Sequence, residues 1–377
     1  MISNPLHDGI GEAFSSPFSF FAIERHPPIR RYHRHLRVMD RRRTSDHLRI
    51  VGHAIAATEN ASWRSSMSLS VQNLDRSKGA ESLRGSKAPC EVIPETSSAP
   101  YFAFEHGGFE ISIISDGYLE IPEEIFTPEV APRQRSEVLA RMETVGRTVH
   151  VPANIPVLRY RDELILFDVG GGDKYQATDG RFFQNLQAAG FDPNAVTKIV
   201  FTHAHPDHTG ATLASDGSLA FPNATYFVGA GEWDYWMDPD FFSKAPEAIH
   251  DFGRGAQRDI GAVRERAVML KPGDDVIPGI RAIDTAGHTP GHLSFELAGE
   301  GGLIIAVDAA TSEIVAVEHP DWHFGYDTIP ELAVRNRRRL LDRASTDKTK
   351  LLGFHWTYPG LGFVEVHGNA YRYVPIA

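Results

Sequence analysis

Cysteine is nearly missing from this sequence: Cys90 stands alone in 377 residues. No intrachain disulfide can form, and cysteine usage points to no oxidising compartment. Long hydrophobic runs are missing too, with nothing approaching the roughly 20 residues of a membrane-spanning helix. The nearest thing to a secretory core, "FSSPFSFFAI" at 14–23, follows Asp8 and Glu12 and runs into Glu24 and Arg25. It does not read as a signal peptide, so the expected location is cytoplasmic, with no membrane partner. Positive charge is in deficit, with a net of −11, which argues against a nucleic-acid partner for the protein as a whole. Lysine is absent from residues 1–66, where ten arginines face six acidic residues. The run "RRYHRHLRVMDRRR" at 30–43 has the composition of a nucleic-acid or membrane-surface patch. Arginine without lysine reads instead as codon bias in upstream sequence translated from an early start, with Met39 or Met67 nearer the native beginning. Residues 1–66 are therefore expected to be an Arg-rich extension, disordered or not native.

What is present is ordinary for a soluble globular protein: 42% hydrophobic and 23% charged residues. Residues 67–100, with "SKGAESLRGSKAP" and "PETSSAP", read as a linker or arm. From Tyr101 the texture changes to that of a folded domain, taken as 101–377. "FEISIISDG" at 109–117 predicts a strand ending in a turn, and "IPVLRYRDELILFDVGGG" at 155–172 predicts two strands across Arg161-Asp162. "RFFQNLQAAG" at 181–190 spaces Phe182, Leu186 and Ala189 at helical intervals and closes on Gly190. Further strands are expected at "TKIVFTH", "ATYFVG", "RAIDTAG", "LSFEL", "GLIIAVD", "KLLGF", "GFVEV" and "YRYVPI", with a helix at 329–344. Strands and helices alternate without strict βαβ regularity, which predicts a layered α/β domain with mixed sheets.

The densest chemistry lies in "THAHPDHTG" at 202–210, where His203, His205, Asp207 and His208 fall within six positions. Chance should produce such a string on the order of a few times in a thousand chains of this histidine content, so a metal site is the first reading. Three later junctions place a candidate ligand directly after a strand. "DTAGHTPGH" supplies His288, with His292 four residues on; "LIIAVDAA" supplies Asp308; "LLGFHWTYPG" supplies His355. A rim of polar residues at strand ends is where α/β sheets place their chemistry.

The order HAHPDH, AGHTPGH, an Asp after an apolar strand and a late His resembles the metallo-β-lactamase superfamily of binuclear metallohydrolases, over roughly residues 101–377. "FEISIISDG", "AFPNATYFVG", "GHTPGH" and "YPGLGFVEVHGNAYRYVP" are most similar to the methyl parathion hydrolase and lactonase-like branch. The resemblance implies an αββα sandwich of two mixed sheets flanked by helices. It implies two zinc ions per subunit, one on His203, His205 and His288, the other on Asp207, His208 and His355, with Asp308 bridging. Asp207 and Asp308 are then the catalytic candidates. Two metals roughly 3.5–4 Å apart would activate a bridging hydroxide, so no Ser or Cys nucleophile is required. Asp168 in "LFDVGG" matches an aspartate that orients a ligand histidine, and His292 is read as a supporting residue, not a ligand.

Within the superfamily, flavo-diiron relatives carry Glu where this chain has His205. Nuclease relatives need a large insertion and a basic track. A β-lactamase proper would normally be exported. A non-catalytic metal-binding scaffold is the non-enzyme alternative, but it would be expected to have lost ligands, and all seven are here. For the substrate, "EWDYWMDPDFF" at 232–242 crowds aromatic residues. By resemblance Trp236, Tyr175 and Phe252 line the substrate pocket. The aromatic density favours a flat, apolar small molecule. An aryl organophosphate triester or aryl ester is expected first. An acyl-homoserine lactone or an activated haloaromatic is the alternative. A homodimer is compatible with the reading.

Overall fold

The computed structural model of the protein describes residues 101–376. The expectations for residues 1–66 and 67–100 lie outside the described residues. β-Branched, alternating segments pair into a first mixed sheet of eight strands: β1 (Phe102–His106), β2 (Phe109–Pro122), β3 (Thr144–Val145), β4 (Thr148–Tyr160), β5 (Glu163–Phe167), β6 (Lys198–Phe201), β7 (Thr225–Gly229) and β8 (Ala267–Leu270). The pairs β1–β2, β2–β4 and β4–β5 are antiparallel, whereas β5–β6, β6–β7 and β7–β8 are parallel. A second sheet of seven strands follows the order β15-β14-β13-β12-β11-β10-β9. Its members are β9 (Asp275–Ile277), β10 (Ile280–Asp284), β11 (Leu293–Leu297), β12 (Leu303–Ile305), β13 (Lys350–Leu352), β14 (Leu361–His367) and β15 (Ala370–Pro375).

The two sheets bury a shared core, with Phe167 of β5 against Phe295 of β11 at 5.1 Å between ring centroids. Helix Phe182–Ala188 buries Phe182 and Leu186 into this core from the first sheet's side. Helix Pro330–Asp347 opens on a proline at its first turn, where the missing N–H costs nothing. It buries Ala333, Asn336, Arg337, Leu340, Leu341 and Ala344, one stripe at 3.6-residue spacing. That stripe packs against Ile304, Leu351 and Val364 on the outer face of the second sheet. The order of layers is helix, sheet, sheet, helix: the αββα sandwich.

One strand differs from expectation. The turn expected at Asp116-Gly117 is a bulge, and β2 continues to Pro122. Asp116 turns inward there, its carboxylate accepting from the Gly171 and Phe182 N–H groups at 2.9 and 2.6 Å. Gly117 has φ 107°, and a Cβ there would lie 2.3 Å from the Thr178 carbonyl oxygen, so only glycine fits. Burial, opposed by those N–H donors, raises the Asp116 pKa to about 6. Among the described residues no helix is long and apolar enough to cross a membrane.

Candidate metal centre

The carboxyl ends of both sheets converge on one rim. β6 delivers His203 and His205, and a short helical turn, Pro206–Thr209, delivers Asp207 and His208. The loop after β10 delivers His288, the turn after β12 delivers Asp308, and the loop after β13 delivers His355. Every one of these side chains is buried. Their ligand atoms form three sets, each within 4.8 Å of one another: His203, His205 and His288; His203, His208 and Asp308; Asp207, His208 and His355. Asp308 lies between the two ends. Its Oδ2 is 3.2 Å from His288 Nε2, 3.7 Å from His208 Nε2 and 3.9 Å from His203 Nε2, and its Oδ1 is 3.5 Å from His355 Nε2. Asp207 Oδ2 is 3.2 Å from both His208 Nε2 and His355 Nε2.

Three buried atoms of this cluster, His203 Nε2, His208 Nε2 and Asp308 Oδ1, have no hydrogen-bond partner. Unpaired buried polar atoms are costly, and their convergence fits a divalent cation. Imidazole and carboxylate donors are a set that zinc accepts. Electrostatics agree. Burial, then neighbouring imidazoles, hold His203 and His205 well below the usual histidine range. At His288, burial opposes the proton but Asp308 and Asp327 outweigh it, pushing the pKa to about 9. At His355, Asp308 and Asp207 do the same against burial, to about 10. The two carboxylates thus favour positive charge in the cluster, and an entering cation would displace those protons.

Three of the histidines are aimed by the atom they turn away from the cluster, while His205 Nδ1 meets His288 Nε2 within it at 2.9 Å. His208 Nδ1 is 2.8 Å from Asp168 Oδ2, and Asp168 also accepts from the Thr202 N–H and hydroxyl, both at 2.8 Å. His288 Nδ1 is 3.0 Å from Asp327 Oδ1, and Asp327 is anchored by the buried Arg337 guanidinium at 3.1 Å. His355 Nδ1 donates to the Pro152 carbonyl at 2.9 Å. Asn154 of β4 ties down the same loop, its amide donating to the Trp356 carbonyl at 2.6 Å. His292 is no ligand in this geometry. Its Nε2 accepts the Asp308 N–H at 3.2 Å, so Nδ1 carries the proton and faces Thr285 Oγ1 at 2.9 Å. It therefore sets the backbone from which Asp308 projects. Val307, just before Asp308, has φ 49°, a strained value for a β-branched residue. Strain of this kind persists where surrounding contacts over-determine the turn.

A cavity opens onto the cluster, with an apolar and aromatic lining of Leu119, Ile121, Phe126, Val151, Phe252, Phe324 and Tyr326, joined by Tyr175 and Thr311. His205, Asp207, His288, Asp308 and His355 form its polar face. Tyr175 and Phe252 are thus placed on the wall. Trp236 is not. It sits behind His205, 1% exposed, with its indole N–H donating to Glu232 at 2.6 Å and its ring against Phe241. The reason is helical spacing: Trp236 falls four residues after Glu232 in helix Ala230–Trp236, on the face turned inward. The expected pocket role for Trp236 is corrected accordingly. Asn154, Asp327, Arg337, Tyr326 and Glu232 were not found from sequence.

The family description "Metallo-beta-lactamase superfamily" matches residues 149–355, more than half of the chain. An N-acyl homoserine lactonase, AttM of Agrobacterium fabrum, is 35% identical over 136 residues. That match covers 33% of this chain and 45% of AttM, so the chain aligns with less than half the length of this relative. Among solved structures, AidC, described as a dizinc quorum-quenching lactonase in complex with a product, is similar at TM-score 0.69 and 26% identity, covering 74% of this chain and 98% of AidC. A second, the hydrolase AbOPH of the beta lactamase superfamily, is similar at TM-score 0.69 and 28% identity, covering 75% and 99%.

Proposed function

Given that this chain belongs to the metallo-beta-lactamase superfamily, we propose that it is a metal-dependent hydrolase of small apolar esters, lactones with an acyl chain foremost. The observation that carries the reading is the cavity: an apolar slot that ends on a wall of imidazoles and carboxylates. Its lining matches a hydrocarbon chain in polarity, with the polar end of the substrate against the cluster. The likeness to AttM and AidC, both described as lactonases, points the same way.

His203, His205 and His288 would hold one zinc ion and Asp207, His208 and His355 a second, with Asp308 shared. When bound, such ions supply Lewis acidity and lower the pKa of a coordinated water toward neutrality. The protein's own contribution is orientation and polarity. Asp168 and Asp327 fix the tautomers of His208 and His288 so that each Nε2 faces the cluster with its lone pair. Burial, then the Asp207 charge, raise the Tyr326 phenol to about 12, so it stays protonated as a donor for a substrate oxygen. Phe252 and Phe324 pack against Tyr326 at 5.7 and 5.6 Å and keep that corner dry.

The aromatic side of the cavity favours a second reading, an aryl ester or aryl phosphotriester stacked on Phe252 and Phe324. One experiment tests both. Purified, zinc-loaded full-length protein is assayed against N-acyl homoserine lactones of increasing chain length, aryl acetates and an aryl phosphotriester. Lactone turnover with a kcat/KM at least tenfold above the other classes is expected. Turnover of the phosphotriester alone would move the assignment to the second reading, and no turnover of any class would refute both.

A further inference from the structure

Among the described residues, the most completely satisfied carboxylate outside the cluster is Glu232, in the first turn of helix Ala230–Trp236 and 0% exposed. Its Oε1 accepts the Ala204 N–H at 2.9 Å and the Trp236 indole N–H at 2.6 Å. Its Oε2 accepts the Thr289 hydroxyl at 2.7 Å and the Gly291 N–H at 3.1 Å. These partners are not scattered. Ala204 lies between His203 and His205, while Thr289 follows His288 directly and Gly291 precedes His292. One oxygen therefore grips the loop after β6 and the other grips the loop after β10.

The backbone is built for this contact. A Cβ at Gly291 would lie 1.8 Å from the Glu232 amide nitrogen, so the loop can only approach the helix with glycine at that position. With two donors on each oxygen, Glu232 has no lone pair left for a cation, and its part in the centre is indirect.

We infer that Glu232 is a positioning residue that clamps the His203–His205 loop to the His288 loop and so sets metal affinity at that trio of imidazoles. The inference rests on the reading that these histidines hold a metal. The clamp does not reach the other set: Asp207 and His208 lie beyond His205, and His355 is held from β4 by Pro152 and Asn154. Loss of Glu232 should therefore weaken one subsite selectively. An amide at this position must turn its NH₂ toward two donors, whichever way it is placed.

The test is titration of metal-free, full-length protein with Co²⁺, followed by the visible absorption of the bound ion, on wild type, Glu232→Gln and Thr289→Ala. Wild type should take up the ion in two phases. Glu232→Gln should weaken one phase about 10–100-fold and leave the other unchanged. Thr289→Ala, which removes one donor without introducing a mismatched group, should weaken the same phase by a smaller factor. Equal weakening of both phases, or a loss of thermal stability with both affinities intact, would show Glu232 to be a general core residue and would overturn the inference. Should Glu232→Gln fail to fold, Thr289→Ala decides by the same criterion. Failure of the wild type to take up Co²⁺ would overturn the metal reading itself, and the inference with it.

Discussion

Asp168→Asn changes one atom and should disable a ligand that it never replaces. Asp168 Oδ1 accepts the Thr202 N–H, and Oδ2 meets both the Thr202 hydroxyl and His208 Nδ1, all at 2.8 Å. If the asparagine placed its NH₂ where Oδ1 lies, two N–H donors would face each other in a fully buried site. The lesser cost is to place the NH₂ where Oδ2 lies and let it donate to His208 Nδ1. The neutral imidazole must then carry its proton on Nε2, the atom that has no hydrogen-bond partner and points at Asp207 and Asp308. A proton there occupies the lone pair a metal needs. Restoring the other tautomer leaves a buried donor unpaired, which costs about 1–3 kcal/mol. We therefore predict a fall in zinc affinity of about one to two orders of magnitude. Chelator competition on the full-length variant measures the affinity, and long-range ¹H–¹⁵N spectra of the metal-free protein report the His208 tautomer. Wild-type affinity together with an unchanged tautomer would refute the reasoning.

The remaining predictions are shorter. Asp308→Ala removes the only carboxylate in the cluster that reaches imidazoles of both sets, so metal content and hydrolysis should both fall; full metal content by elemental analysis would count against a bridging role. For a lactone in the apolar slot, two added methylenes should lower KM by about tenfold at roughly 0.8 kcal/mol each. Val151→Trp, at a buried position on the cavity wall, should erase that dependence, and a persisting chain-length effect would place the acyl group elsewhere. Burial, then the charges of Asp116 and Asp207, push Asp179 to about 8, so its contribution to stability is fully present below pH 3.8 and is lost as pH rises through 8. Between pH 6 and 9 the wild type should lose thermal stability and Asp179→Asn should lose less; parallel curves would contradict the shift.

The candidate ligands were legible because each announces itself locally. A histidine or aspartate placed directly after an apolar strand is conspicuous in the sequence, and the strands were readable from β-branched runs. The layered sandwich follows from the same runs once they pair. Helix His250–Ala262 was not legible because Gly253, Gly255 and Gly261 argue against a helix on propensity. Packing overrides that argument at Gly253, where a Cβ would sit 2.2 Å from the Phe241 ring.

The supporting residues were hidden for a different reason. A ligand is chosen for the atom it carries, whereas a supporting residue is chosen for what happens to face it. Glu232 reads as an ordinary acid in a first helical turn, favoured there by the helix dipole alone. Arg337 stands in the run "RNRRR", where Arg335 and Arg339 are exposed and Arg337 alone of the four arginines is buried, against Asp327. Nothing in the run marks which arginine that is. The distinction appears only when helix Pro330–Asp347 and the loop holding Asp327 are brought together, and Arg337 reaches the Ala309 and Trp322 carbonyls as well. One guanidinium thereby links the turn after Asp308 to the carboxylate that aims His288. Two metal-binding segments that are far apart in sequence share a single buried anchor, and the pairing is a property of the fold that no single stretch of the chain contains.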